Sequence, residues 1–254
     1  MIKRDELTAF LDKTLNIAAF SGDVSNNGLQ IEGKREVSKV LFAVDACQEV
    51  FDIAAAEKCD FIFVHHGISW GGGIKRWTGI NARRFATLFN NGISLYAAHL
   101  PLDAHSIYGN NACLADMIGL QNREPFFEYD GAYIGFKGEL PEPGKLSDIA
   151  DFFANELEIK PLLRGNSDTK INTVAIVSGG GGVDAVFDTH TAGCDLLITG
   201  EMEHIMHHPA QELSVAVIAL GHYASETTGV LAMQKLIADN YPVETFFAEV
   251  PTGL

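Results

Sequence analysis

The sequence runs through one order of short apolar runs and helical segments twice, and this repetition limits the possible folds more than any other feature. In the first half, Val40–Val44, Phe61–Val64 and Ile93–Ala98 read as strands, separated by helices over Gln48–Glu57 and about Asn81–Asn90. In the second half, Val174–Val177, Leu196–Thr199 and Val215–Leu220 read as strands, separated by helices over Val183–Thr191 and ending at Pro209–Leu213. A further helix is expected over Leu7–Ala19 and another over Glu226–Asp239. Apolar runs of this length, alternating with amphipathic segments, indicate parallel strands buried on both faces. The stretch VLFAVDACQEVFDIAAAEKCDFIFVHHG lies over VAIVSGGGGVDAVFDTHTAGCDLLITGE with a short gap, and ISLYAAHLPLD lies over VAVIALGHYASE. Two blocks matched in the same order point to duplication. The expected architecture is therefore α/β: two similar lobes from an internal duplication, with mostly parallel strands covered by helices. Lobe one is expected at about 1–123 and lobe two at about 124–254. Between the repeats, a strand is expected over Ala132–Lys137, a turn at Pro141-Glu-Pro-Gly and a helix over Ser147–Leu157.

Composition narrows the function class. With 33 acidic against 18 basic residues the formal charge is −15, which disfavours bulk binding of nucleic acid unless a local basic or metal-rich patch overrides it. No apolar stretch is long enough to span a bilayer, and the opening residues enter a helical pattern without a signal-peptide core, so a cytoplasmic protein with no membrane partner is expected. The four cysteines show no CxxC spacing, which suits a reducing compartment. Cys59 and Cys194 each precede an Asp and an apolar strand and are read as matching core positions.

In parallel α/β sheets ligands gather beyond the carboxyl ends of the strands, and that is where the chemistry-bearing residues fall. His65-His66-Gly67 follows one strand. His99 and Asp103 follow another, and His222 and Glu226 follow its repeat; the interval is 123 residues for both members (99 to 222, 103 to 226). Imidazole with carboxylate and no thiolate is the ligand mix of hydrolytic metal sites, suited to zinc, manganese, iron, cobalt or nickel. The two adjacent imidazoles are expected to reach one cavity because the strand ends before them and turns at Gly67. Pro101 makes the His99–Asp103 stretch read as a loop, while Glu226 falls at the start of a helix. Glu201 occupies the repeat position of His66. His204 and His208 have i,i+4 spacing without the supporting HExxH pattern, so a zinc helix is not indicated. Ser178 and Gly179–Gly182 read as a tight strand-to-helix turn, with a phosphate cradle as the competing reading. Lys75 and Arg76 follow Trp70-Gly71-Gly72-Gly73. They read first as solvated charge and second as a grip for a substrate phosphate.

Taken in order, Asn27-Gly28-Leu29-Gln30, Val64-His65-His66-Gly67, His99-Leu-Pro-Leu-Asp103-Ala-His105, Asn110-Asn111, Ile198-Thr-Gly-Glu201 and Gly221-His222-Tyr-Ala-Ser-Glu226 resemble the Nif-three-like family. Members of that family carry the name of type 2 GTP cyclohydrolase I homologues, and this chain is similar to the short bacterial form. The resemblance covers nearly the whole chain. It implies a dinuclear divalent-metal site with His65, His66, Asp103, His222 and Glu226 as ligands. His99, His105, Glu201 and His204 would lie in the surrounding pocket, with His99, Glu201 and His204 as candidates for proton transfer. Many relatives carry two consecutive histidines where this chain has His204-Ile205. A toroidal homohexamer and a small-molecule substrate, a nucleotide such as GTP, are implied in the same way, with Lys75, Arg76 and His105 as binding candidates. A metal-dependent phosphatase or nuclease and a ring-shaped regulatory metal protein are the competing expectations.

Overall fold

The computed structural model describes residues 1–254. The chain begins with β1 (Ile2–Lys3), α1 (Arg4–Thr14), β2 (Gly28–Ile31) and β3 (Glu36–Val37). The first repeat follows as β4 (Lys39–Asp45), α2 (Gln48–Ala56), β5 (Phe61–His66), α3 (Ile80–Asn91) and β6 (Ser94–Ala97). Next come α4 (Leu100–Ala104), α5 (Asn110–Met117), β7 (Gln121–Tyr129), β8 (Ala132–Lys145), α6 (Leu146–Glu156) and β9 (Leu162–Arg164). The second repeat is β10 (Lys170–Val177), α7 (Gly182–Thr191), β11 (Leu196–Thr199), α8 (His207–Glu212) and β12 (Ala216–Ala219). The chain closes with α9 (His222–Asn240) and β13 (Glu244–Phe247).

Two compact units emerge, one comprising Met1–Leu102 and Val230–Val250, the other Asp103–Gly229 and Pro251–Leu254. The expected boundary near 123 thus differs from the observed exchange at Leu102/Asp103, and the later part of α9 together with β13 belongs to the first unit. In that unit the sheet order is β13-β4-β5-β6-β2, with β13, β4, β5 and β6 parallel and β2 antiparallel at the edge. In the second it is β7-β8-β10-β11-β12-β9, where β10, β11 and β12 are parallel and β9 is the antiparallel edge beyond β12. Each repeat therefore builds three parallel strands in chain order with an antiparallel strand added after the third.

Strand alternation explains the packing. In the first unit Leu41, Ala43, Ile62, Val64, Leu95 and Ala97 form one core with Val50, Phe51 and Ala54 of α2 and Phe85 and Leu88 of α3. The intervening residues Phe42, Phe61, Phe63 and Tyr96 are fully buried and their rings lie against one another, with Tyr96 Oη donating to Asp12 on α1 at 2.8 Å. Each such side chain contributes about 1.5–3 kcal/mol of burial, so three aligned strands supply most of the driving force for a unit this size. In the second unit Val174, Ile176, Leu196, Ile198, Ala216 and Ile218 pack with Leu146, Ile149 and Phe153 of α6.

The duplication reaches into the polar groups. Asp60 accepts hydrogen bonds from Ser38 N and Oγ at 2.9 and 2.7 Å, and Asp195 accepts from Thr173 N and Oγ1 at 2.9 and 3.0 Å. In each repeat, then, the acid entering the second strand ties down the start of the first. Cys59 and Cys194 beside them are buried, as expected, and burial pushes the Cys59 thiol up to about 12.

Several local expectations need correction. α1 stops at Thr14, and only a 3-10 turn at Ile17–Phe20 follows. Asn81 does not cap α3; the helix starts one residue earlier, and Asn81 Nδ2 donates to Arg76 O. The Pro141-Glu-Pro-Gly stretch is not a turn but lies inside β8. There the register with β10 jumps between the Gly144–Ile171 and Glu139–Thr173 pairs, so the prolines sit where no ladder N–H is demanded. β7, which pairs with β8, has no counterpart among the expected strands.

Candidate metal site

The histidine group of the first unit is set by strand register. β5 continues through His66, two residues past the expected strand end at Val64, and the chain leaves the strand at Gly67 as expected. The two histidine rings come to 4.5 Å between centroids, and His99 lies 5.3 and 5.6 Å from them. One ring nitrogen from each of the three can be found with all three atoms within 4.8 Å of one another, a spacing compatible with a metal ion.

What holds these rings is more informative than their proximity. Asp45 is the Cα partner of His66 across β4 and β5, and His66 Nδ1 meets Asp45 Oδ1 at 2.9 Å. His65, fully buried, meets the Ala98 carbonyl through Nδ1 at 2.8 Å. His99 Nδ1 meets Asp23 Oδ1 at 2.9 Å, while Asp23 also accepts from the backbone N–H groups of Ser25 and Leu100 and from Asn27 Nδ2. Burial of Asp23 works to raise its pKa, but the hydrogen bonds with His99, Asn27 and Ser25 outweigh it and hold the carboxyl below the ordinary carboxylate range. A carbonyl or a carboxylate only accepts, so in each ring Nδ1 is the donor. The neutral ring then carries its lone pair on Nε2, the nitrogen through which it would bind a metal, and this is the arrangement metal-binding histidines show. Trp70 forms a wall beside them, 5.0 Å from His99 and 6.0 Å from His66 between ring centroids, with its Nε1 donating to Gly67 O.

The second unit supplies the acids and a fourth histidine. His222 opens α9, so His222 and Glu226 share one helix at i,i+4, a turn earlier than the expected helix start. His222 Nδ1 lies 2.7 Å from Glu201 Oε1 and its Nε2 lies 3.2 Å from Glu226 Oε1. The hydrogen bond to Glu226, helped by its charge and by Glu201, overcomes burial and pushes His222 up to about 9. Asp103, expected in a loop, lies in the short helix α4; Pro101 occupies its first turn, where a missing N–H costs nothing. Buried Asp103 Oδ1 accepts from Asn110 Nδ2 at 2.9 Å and Ser178 Oγ at 3.0 Å, and Asn110 Oδ1 accepts from Gly229 N on α9. Asn111 receives Ser178 N and donates to Ile134 O, which completes the frame around Asp103. Gly179 leaves the room this group needs: a Cβ there would overlap Glu226 Oε1 and lie 3.2 Å from His222 Nε2.

The remaining candidates are not in the groups with metal-ligand spacing. His105 Nδ1 accepts from the N–H groups of Ile107 and Tyr108, the reverse polarity of the four rings above, so it caps a turn. His204 is exposed on a 3-10 turn that precedes α8, so the i,i+4 spacing with His208 does not fall on one α-helical face. Lys75 and Arg76 are exposed in the loop between β5 and α3. Ser178 and Gly179 spend their N–H groups on Asn111 and Ser225, which supports the tight-turn reading of that glycine run. The carboxylates that orient the rings, Asp23 and Asp45, were not among the residues singled out from the sequence.

The model of one protein family, Duf34/NIF3 (NGG1p interacting factor 3), matches residues 2–252. The chain belongs to this family. Curated relatives from Pyrococcus horikoshii and Pyrococcus abyssi, both named GTP cyclohydrolase 1 type 2 homolog, are 45% and 43% identical; the alignments cover 99% and 100% of this chain and equal shares of those proteins. Among solved structures, TTHA1606 from Thermus thermophilus superposes with a TM-score of 0.88 at 40% identity, over the whole of both chains. The two-lobe α/β architecture is thus that of the NIF3 superfamily, and the His, Asp and Glu side chains described above are its candidate metal ligands in this chain.

Proposed function

We propose that the protein is a dinuclear, divalent-metal-dependent hydrolase acting on a nucleotide, with GTP as the first substrate to test. The observation that carries this reading is a shared anchoring: four histidines, each with Nδ1 tied to an acceptor-only oxygen. His65, His66, Asp103, His222 and Glu226 would hold the ions, a donor set of nitrogen and oxygen that suits first-row divalent metals. Ions bound there would supply a water of lowered pKa and a Lewis acid for developing negative charge.

The chain's own residues divide the remaining work. Asp45 and Glu201 orient His66 and His222. Asn110 and Ser178 hold one oxygen of the Asp103 carboxylate in place. His99, held by Asp23 and flanked by Trp70, is placed to carry a proton at Nε2. Glu201 therefore acts as a positioning residue, and exposed His204 takes no part in the chemistry. Assembly as a hexamer belongs to the same proposal, with molar mass by light scattering as its check.

Metal content of the wild-type protein, His65→Ala and Glu226→Ala tests the site: two ions per chain are expected in the first and a clear loss in both variants. Full retention in both would overturn it. Incubation of metal-loaded protein with GTP is expected to release formate by opening the purine ring. Phosphate release without formate would replace ring hydrolysis with phosphoryl chemistry.

A further inference from the structure

The sequence between Asp60 and Asp103 contains no acidic residue, although the chain as a whole carries 33. The same stretch holds Lys75, Arg76, Arg83 and Arg84, and none of the four is in an ion pair. Lys75 and Arg76 lie on the exposed loop after Trp70, and on the first turns of α3 Arg83 is exposed while Arg84 is half-buried with its Nε shut off from solvent. Three large apolar side chains stand out among them: Trp77 is 58% exposed, Phe89 56% and Ile80 51%. Trp77 packs against Phe85, with centroids 4.1 Å apart and the rings tilted by 43°, and Phe89 continues the row at 5.9 Å. The acids on the neighbouring helix α2, which meets α3 through the Gln48–Thr87 hydrogen bond, are Glu49 and Asp52.

Unpaired guanidinium groups beside an exposed, supported indole are what a flexible polyanion with flat rings requires. We propose that this face of the loop and α3 binds single-stranded nucleic acid, its phosphates on Lys75, Arg76, Arg83 and Arg84 and a base stacked on Trp77. A strand is narrow and can follow one basic face. A flat anionic membrane would also face the acidic remainder of a −15 chain, which salt screens only beyond about 10 Å. The site is independent of the metal reading, because none of its residues belongs to the histidine or acidic groups.

The test uses full-length protein in excess chelator, so that metal chemistry plays no part. Fluorescence anisotropy is read with labelled oligo(dT) longer than the roughly 4–16 nucleotides one binding face covers. Four phosphate contacts predict a slope of log affinity against log salt of about −3, and Arg83→Gln should reduce its magnitude by about 0.7. Trp77→Ala should weaken binding by about 5- to 150-fold, the range for one stacked base, and Trp77→Phe should recover much of it. If Trp77→Ala does not fold, Arg83→Gln and Trp77→Phe still decide the matter. Absence of binding at about 50 mM salt, an unchanged slope in Arg83→Gln, or equal affinity for duplex DNA would overturn the proposal. So would capture by phosphatidylserine vesicles with no binding of the strand.

Discussion

Replacing Gly179 by Ala separates two costs that the structure keeps apart. The residue has φ of +61°, and its neighbours hold it from both sides: its N–H donates to Ser225 Oγ at 3.0 Å and its carbonyl accepts from the N–H groups of Gly200 and Glu201, each at 3.0 Å. A methyl group there has no direction in which to relax. The left-handed backbone costs an alanine about 1–2 kcal/mol. The added Cβ must also displace the buried Glu226 carboxylate, and losing its charged hydrogen bond with His222 adds about 1.5–3 kcal/mol. Gly193 provides the control, since its φ is +69° and a Cβ there would meet nothing within 4 Å. Urea unfolding of the metal-free proteins should therefore show Gly193→Ala losing about 1–2 kcal/mol and Gly179→Ala about 2.5–5 kcal/mol, a large share of a typical domain's roughly 5–15. Isothermal titration with a divalent metal should show affinity falling in Gly179→Ala and unchanged in Gly193→Ala. Equal destabilisation of the two variants, or wild-type metal affinity in Gly179→Ala, would refute the view that this turn is shaped by the room Glu226 and His222 need.

Other outcomes follow from the same geometry. Asp45→Ala and Glu201→Ala remove no proposed ligand, yet each should lower metal affinity about 10- to 100-fold, measured by competition with a chelating dye. His222 has a folded pKa raised from 6.5 to about 9, so in metal-free protein the stability it contributes is complete below about pH 6.5 and lost as pH rises through about 9. Glu226→Gln should flatten that part of the stability curve, and a wild-type His222 resonance titrating near the ordinary 6.5 would contradict it. Asp60 is the opposite case: burial would raise its pKa, but the bonds from Ser38 and Lys34 lower it. Its contribution is therefore present above the ordinary 3.8 and lost as pH falls through the folded value, and Ser38→Ala should shrink the acid-sensitive part.

The parallel core was legible because each buried strand is an uninterrupted apolar run. Leu196–Thr199 is placed to the residue, Val174–Val177 is the buried end of a strand that begins four residues earlier, and the helices α2, α6 and α7 follow from their spacing. Readings failed where tertiary context overrides a local rule. Pro141 and Pro143 suggest a turn, yet a register jump makes room for both inside β8. Pro101 sits in a first turn, and a proline argues against a helix only in the helix interior. The histidines were conspicuous as residue types, whereas Asp23 and Asp45 became meaningful only once the fold brought them to His99 and His66, far along the chain. The polarity of His105 likewise depends on two backbone N–H groups that no motif announces.

The strand β13 has a consequence for how the protein comes into being. It pairs with β4, so the sheet that presents His65, His66 and His99 is closed by residues made after the whole second repeat. Val230, Met233 and Ile237, buried in that same unit, also arrive late. A ribosome releasing this chain therefore delivers the second unit's whole sheet before the first unit can be completed, the reverse of the usual order in which the amino-terminal part folds first. Until then the strands of the first repeat wait with an open edge, and a chain interrupted before residue 244 would leave that edge unpaired for good.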